Sequence, residues 1–323
     1  MHRRSFIKNS SIIACGAPIL NSIGLNDFAA TFDNNNEEVV EIMVGKIKCT
    51  IFRDHVHTYT ASRYFSNADA QELKPALEKY KITPDKIPSP FIAMLLQYGN
   101  KKILIDTGMG YLENPLVVNG NAIKFKGRLH KLMASQKFNA ADINDVIITH
   151  FHPDHIGGIY SEANQLLFPN ARFHMHEDEW SYWHSSKADN QSPVFKYIIE
   201  KNISPLKDGN LNLIKGDFTE ILPGLTAVKA DGHTPRQIAI IMHSQKDHLL
   251  YISDAFLHPL HIERLDWQTN YDLDHAKAKA TRIKLLDLAH KEDMLVNAFH
   301  FDFPGLGRAE KRNNSWMWNY TNA

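Results

Sequence analysis

The sequence predicts an α/β protein whose sheets carry helices on their outer faces. Three observations lead there. Apolar runs of strand length are interleaved with segments of helical spacing along most of the chain. Hydrophobic residues make up 43% and charged residues 22% of the 323 residues, a composition able to bury a core. No internal repeat or low-complexity tract breaks the pattern after residue 38.

The first thirty residues read as an address rather than as fold. Met1–Lys8 is basic, Ser11–Leu25 is mostly apolar or small, and Ala29-Ala30 offers a small-residue cleavage site, which together describe an export signal. Arg3-Arg4 followed by Ser5-Phe6-Ile7-Lys8 resembles the twin-arginine type, so a periplasmic protein is expected. Ile12-Ile13-Ala14-Cys15 resembles a lipoprotein box with an anchor at Cys15; it is the lesser reading, because the apolar run before Cys15 is short. Residues 31–38 are polar and Asn-rich, a linker into one domain spanning 39–323.

Within that domain, Val39–Phe52 has strand composition interrupted at Gly45-Lys46. Ala68–Tyr80 has helical spacing, with Pro75 as a candidate stop or kink. Phe91–Leu96 and Lys102–Ile105 flank Tyr98-Gly99-Asn100 as a hairpin. Arg128–Phe138 reads as a helix and Asp145–Thr149 as a short buried strand. A strand over Arg172–Met175 precedes helices over Glu177–Ser185 and Val194–Lys201. Leu225–Ala230, Ile238–Met242 and Leu249–Ile252 are strands, Asp274–His290 is a helix, and Met294–Phe299 is the last apolar strand before a glycine-containing loop, with Trp316 and Trp318 packing a terminal strand.

Charge excludes one class of partner. Lys+Arg and Asp+Glu both number 36, and the basic run Lys124, Lys126, Arg128 and Lys131 is short enough to be a solvated helix face, so no nucleic-acid partner is expected. No stretch reaches the roughly 18 apolar residues of a membrane span. Cys15 and Cys49 are the two cysteines; with the signal removed, Cys49 is left without an intrachain partner and reads as a small buried hydrophobe.

The chemistry concentrates in Thr149-His150-Phe151-His152-Pro153-Asp154-His155. His150 and His152 are two residues apart, which in extended backbone puts both on one face. Pro153 disfavours helix at His152, so the turn follows the pair and sends Asp154 and His155 toward a second position. Gly157-Gly158 then lets the backbone pass close to the site. Three further ligand-type residues each follow a strand: His233, Asp254 and His300. Five imidazoles and two carboxylates form an N/O set suited to zinc, with manganese and iron as alternatives.

This ordered set, with Gly232-His233-Thr234, Ser253-Asp254-Ala255, a late His300 and an early Asp106-Thr107-Gly108, resembles the metallo-β-lactamase superfamily over about residues 40–320. The resemblance implies a four-layer αβ/βα sandwich with two divalent metal ions at one edge. It implies that His150, His152 and His233 hold one ion, Asp154, His155 and His300 the other, and that Asp254 bridges them. It implies hydrolysis by a hydroxide shared between the ions, with Asp154 also acting as a proton shuttle. The run His300–Gly307, Arg282 with the helix before it, and Phe168-Pro169-Asn170-Ala171 resemble the methyl parathion hydrolase and lactonase-like branch. That branch implies an ester or lactone substrate, acyl-homoserine lactones included, with phosphotriesters as a side activity; a homodimer is an open expectation.

Alternatives on the same scaffold are a β-lactamase, which the ending at His300–Gly307 does not fit, and an iron-dependent sulfur dioxygenase. Flavodiiron members usually have Glu where His152 stands. The chain departs from the common Gly-His-Thr-Pro-Gly-His pattern at Arg236 and Gln237, where Arg236 is either a pocket-rim residue or solvated. Trp183 and Phe195 fall where that branch carries pocket aromatics, though core anchoring is the preferred reading. His174 and His176 form a second H-x-H without the Asp-His that follows the first, and read as surface or core histidines. His258 and His261 are lesser candidates for the cleft wall.

Overall fold

The computed structural model describes residues 38–321, apart from 119, 207–208 and 314. The expected export signal over 1–30, the Cys15 box and the linker up to residue 37 lie outside the described residues.

Two seven-stranded sheets carry the fold. The first orders β1 (Val39–Val44), β2 (Ile47–Tyr59), β3 (Ile87–Tyr98) and β4 (Lys101–Ile105) as an antiparallel meander. A small hairpin, β5 (Leu116–Val118) and β6 (Asn121–Ile123), stands apart from it. The first sheet continues in parallel through β7 (Asp145–Ile147), β8 (Arg172–His176) and β9 (Leu211–Ile214). The second sheet runs β10 (Phe218–Leu222), β11 (Leu225–Lys229), β12 (Ile238–Ser244), β13 (Asp247–Tyr251), β14 (Leu295–Asn297), β15 (Leu306–Arg312) and β16 (Ser315–Tyr320), antiparallel except for the parallel pair β13–β14.

Period-two patterning decides how the sheets stack. Ile47, Cys49 and Ile51 of β2 share one apolar layer with Met94, Leu96, Ile103 and Ile105, and with Ile238, Ile240, Met242, Leu249 and Tyr251 of the second sheet. The opposite face of the first sheet, through Phe52, Ala93, Leu95 and Leu104, packs on Leu129 and Met133 and on Ile198 and Ile199 of the helices Leu129–Ser135 and Pro193–Asn202. The opposite face of the second sheet, through Ala239, Ile241 and Leu250, packs on Leu285, Leu286 and Ala289 of the helix His275–Lys291. The layers are therefore helix, sheet, sheet, helix: the four-layer αβ/βα sandwich. Cys49 is fully buried between the sheets, and burial pushes its thiol up to about 12, so it packs as a hydrophobe.

Several expectations need correction. Pro75 lies inside the helix Ala70–Lys79 without ending it; Asp69 caps that helix by accepting from Gln71 N–H. The short runs of β9 and β10, Leu211–Ile214 and Phe218–Leu222, pair into the sheets although the sequence reading places no strand there. As expected, the strand within Met294–Phe299 runs into a glycine-containing loop, and Trp316 and Trp318 lie on a terminal strand, β16, packed in the core cluster of the helix His275–Lys291; β15, between them, is additional to the expectation. Of the basic run only Lys131 stands on a helix, Leu129–Ser135. Arg128 precedes the helix Leu129–Ser135 and pairs with Glu38, while the ammonium of Lys126 sits 4.5 Å from the Tyr111 ring centre. No helix among the described residues is long and apolar enough to cross a membrane.

Candidate metal centre

Strand direction explains why distant residues meet. β11 and β13 are each antiparallel to β12, and β14 is parallel to β13, so these three strands finish at the same edge of the second sheet. The loops leaving them carry His233, Asp254 and His300. In the first sheet β7 runs into His150–His155, and the extended backbone of His152 (φ −73, ψ 152) gives way at Pro153 to the helix Pro153–Ile156. Gly157 and Gly158 seat this turn against the loop after β4: a Cβ on either would stand 2.1 Å from the carbonyl oxygen of Met109 or Thr107.

All seven expected residues are brought together, in two sets that share one member. His150, His152, His233 and Asp254 form the first; Asp154, His155, Asp254 and His300 form the second. In each set the donor atoms lie within 4.8 Å of one another. His233 Nε2 is 2.9 Å from His152 Nδ1, and Asp254 Oδ2 is 2.9 Å from His300 Nε2, 3.4 Å from His233 Nε2 and 3.9 Å from His150 Nε2. Its other oxygen, Oδ1, is 3.2 Å from His155 Nε2. Asp154 is the one member not fully buried, with Oδ2 at 3.6 Å from His300 Nε2 and 3.9 Å from His155 Nε2.

The site fits cations on its own terms. His150 Nε2, His155 Nε2 and Asp254 Oδ1 are buried yet lack a hydrogen-bond partner, and such orphaned polar atoms are costly unless something coordinates them. Electrostatics agree. Burial, reinforced by the neighbouring His155, holds His150 well below the usual histidine range; burial and His233 do the same for His152. Burial also opposes charge on Asp254, but the surrounding imidazoles, His300 and His155 foremost, overcome it and hold the carboxyl well below its ordinary value. His150 and His152 are thus held as neutral nitrogens, the form in which imidazole binds metal. At His155 and His233 burial is outweighed by Asp254, with Asp106 and Asp272, which hold His155 well above the usual range and His233 at about 9, so an ion would have to displace their protons.

Outer partners fix three of the rings. Asp106 accepts from His155 Nδ1 at 2.9 Å, from Thr149 N–H and O–H, and from the Tyr251 hydroxyl at 3.0 Å. Asp272 faces His233 Nδ1 at 3.1 Å and accepts from Arg282 at 2.7 Å; Arg282 also donates to the Ala255 carbonyl beside Asp254. Ser89 Oγ lies 2.8 Å from His300 Nδ1 and 2.7 Å from the Tyr64 hydroxyl. Carboxylates or hydroxyls behind ligand histidines set ring orientation and tautomer. Asp106 (φ 57) and Ser253 (φ 47) hold left-handed backbone that non-glycine residues seldom adopt, and both flank the site.

Of these partners the sequence singled out Asp106 and Arg282, and Thr149 as the residue that opens the His150–His155 motif. Ser89, Tyr64 and Asp272 carry no local signal. Glu179 carries one, since Glu179 and Trp183 at i,i+4 share a helix face and so place an acid beside an apolar ring. Trp183 and Phe195, preferred as core anchors, are also neighbours of the site: their ring centres stand 6.3 and 4.7 Å from that of His152. Arg236 is neither rim nor solvated. It is buried, donating to His176 Nε2 at 3.2 Å and to Asp217 at 2.5 Å. His174 is a core residue, held between Asp145 and Asn212. His258 and His261 are buried against Phe65 in an aromatic cluster.

The sequence profile of the metallo-beta-lactamase superfamily matches residues 93–296, and the chain belongs to that superfamily. An N-acyl homoserine lactonase from a Bacillus species is 23% identical over 195 residues, covering 57% of this chain and 70% of the relative. AidC, a dizinc quorum-quenching lactonase solved with a product N-hexanoyl-L-homoserine, superposes with a TM-score of 0.76 at 24% identity, covering 88% of this chain and 98% of its own. The hydrolase AbOPH of the beta lactamase superfamily gives a TM-score of 0.79 at 21% identity, covering 90% and 99%. These likenesses establish the fold, and the hydrolase class expected from the sequence is the class of these relatives.

Proposed function

We propose that this protein hydrolyses an ester or lactone bond, with N-acyl homoserine lactones as the substrate class of first choice and phosphotriesters as a side activity. The observation that carries the reading is the pair of buried donor sets joined through Asp254. His150, His152 and His233 would hold one ion and Asp154, His155 and His300 the other, with Asp254 common to both. Five imidazole nitrogens and two carboxylates favour zinc. Two such ions supply Lewis acidity and a water acidified toward neutral pH.

The chain's own residues supply the rest. The Asp154 carboxylate, on the open side of the cluster, accepts a proton and returns it to the leaving oxygen. Trp183 and Phe195 offer an apolar wall beside His152. His57, Tyr59 and Tyr271 lie within the electrostatic reach of Asp154. The lactonase relatives support the lactone assignment.

Elemental analysis of the purified protein, with turnover measured on acyl-homoserine lactones, aryl esters and phosphotriesters, tests this. The expected result is two zinc ions per chain and lactone or ester turnover. Loaded protein that turns over none of the panel would defeat the proposal; rapid penicillin hydrolysis, or oxygen uptake with a persulfide, would replace it. On Arg3-Arg4 and the apolar stretch behind it, we further propose export in the folded state. Recovery of a shortened chain from the periplasm supports that, and its retention in the cytoplasm at full length refutes it.

A further inference from the structure

Glu179 belongs to neither donor set, yet it touches the backbone of two of the three loops that build the first. It stands in the helix Glu177–Trp183 and is almost wholly buried. Its two oxygens divide their work. Oε1 accepts from Phe151 N–H at 3.2 Å and from the Trp183 indole N–H at 2.8 Å. Oε2 accepts from the Thr234 hydroxyl at 2.9 Å and from Arg236 N–H at 3.0 Å. Phe151 lies between His150 and His152 in the loop of the first sheet, while Thr234 follows His233 in a loop of the second. One carboxylate therefore ties together two loops of different sheets.

We propose that Glu179 is a positioning residue that fixes His152 and His233 relative to each other, and so sets the affinity of the ion they would share with His150. The inference rests on the two-ion reading above. Its physical basis is reach. His152 Nδ1 and His233 Nε2 stand 2.9 Å apart although 81 residues separate them in sequence, so any slip between the two loops changes that spacing directly. Hydrogen bonds to a charged acceptor are shorter and stronger than neutral ones, and four of them share this carboxylate. The Arg236 guanidinium does not neutralise Glu179, because it turns to His176 and Asp217 instead. Glu179 also holds Trp183, whose ring faces His152, so the same carboxylate sets one wall of the cleft. Asp154, His155 and His300 receive no bond from it among the described residues.

The test is a zinc titration of the metal-free full chain in competition with a chromophoric chelator, which resolves two successive affinities. Glu179→Gln keeps the size of the side chain but replaces one acceptor oxygen with an N–H₂ that must face a donor. It is expected to weaken one of the two ions roughly 10- to 100-fold, the usual cost of losing an outer partner, and to leave the other unchanged. The same substitution placed in a His300→Ala background should still show the drop, whereas in a His233→Ala background, where its set is already broken, it should add nothing. Thr234→Val removes one donor and leaves the carboxylate in place; it should weaken the same ion by a smaller factor, and it carries the test if Glu179→Gln does not fold. Wild-type chain binding fewer than two zinc ions would sink the two-ion reading itself. Two ions in the wild type, with equal losses at both sites or no loss in the variants, would overturn the role of Glu179 alone.

Discussion

The two sheets serve the site in different ways. The first delivers His150, His152, Asp154 and His155 from one turn after β7, where an extended pair gives way to a helix at Pro153. The second delivers His233, Asp254 and His300 from three separate loops, each at the end of a different strand. Neighbours in sequence have their spacing fixed by covalent geometry. Residues from separate loops have it fixed only by packing, with Asp272 and Arg282 behind His233 and Ser89 and Tyr64 behind His300; the turn has a buried network of its own, Asp106 with Thr149 and Tyr251 behind His155. The difference lies in the origin of the spacing: covalent geometry within the turn, packing alone between the loops.

Substitutions on the second-sheet side put that contrast under strain. The largest effect is expected at Asp254, the residue common to both sets. Asp254→Ala should release both ions and cut lactone or ester turnover by more than the roughly 100-fold that an outer partner costs. Metal content measured alongside rates checks this, and retention of two ions would contradict the bridging role. Next comes Arg282, a fully buried guanidinium paired with a fully buried carboxylate. Arg282→Ala leaves Asp272 uncompensated and should destabilise the metal-free protein by about 3–5 kcal/mol in urea unfolding. A loss below about 1 kcal/mol would mean that the pair does not support this loop. Smaller still is Ser89→Ala, which removes a neutral partner of His300 and should weaken only the ion held with Asp154 and His155, by about tenfold. Chelator competition reads that directly; a loss at the other ion would break the assignment of the two sets.

The same contrast governs how much of the protein was legible from sequence. The His150–His155 turn could be read from spacing alone, because a two-residue separation in extended backbone and a proline after the pair fix local geometry. His233, Asp254 and His300 were legible as strand-end residues, but their convergence depends on the directions of β11, β13 and β14, which no local pattern states. Element types were largely readable where the apolar period was strong, as in β3 and the helix His275–Lys291. They failed in β9 and β10, short strands whose apolar residues are mostly only half-buried, while the helix expected around Pro75 is present, an exposed helix tolerating one missing N–H. Arg236 looked solvated because its partners, His176 and Asp217, lie far away in sequence. Ser89, Asp272 and Glu179 act through contacts that exist only once both sheets have assembled.

Acid sharpens the comparison with the smallest effect. His258 lies beyond Asp254 on the second-sheet side and caps the helix Pro259–Glu263 by accepting from Leu260 N–H. Burial lowers it to about 3, against an ordinary value of 6.5. Between those values the unfolded chain binds a proton that the folded protein refuses, so stability falls as pH drops from 6.5 toward 3 and this contribution levels off below. The slope is at most about 1.4 kcal/mol per pH unit. On the first-sheet side Asp54, which accepts from Met109, Arg128 and Leu129 N–H, has the opposite sign: burial raises its carboxyl, so acid favours its folded form. His258→Asn keeps an oxygen for the Leu260 N–H and removes the titration. In the metal-free protein it should make the decline in urea stability between pH 6.5 and 4 shallower by one proton's share, the remainder coming from His150, His152 and His261, which burial also holds low, while Asp54→Asn should not. If His258→Asn leaves the wild-type slope intact, His258 is not among the groups that make the folded protein acid-sensitive.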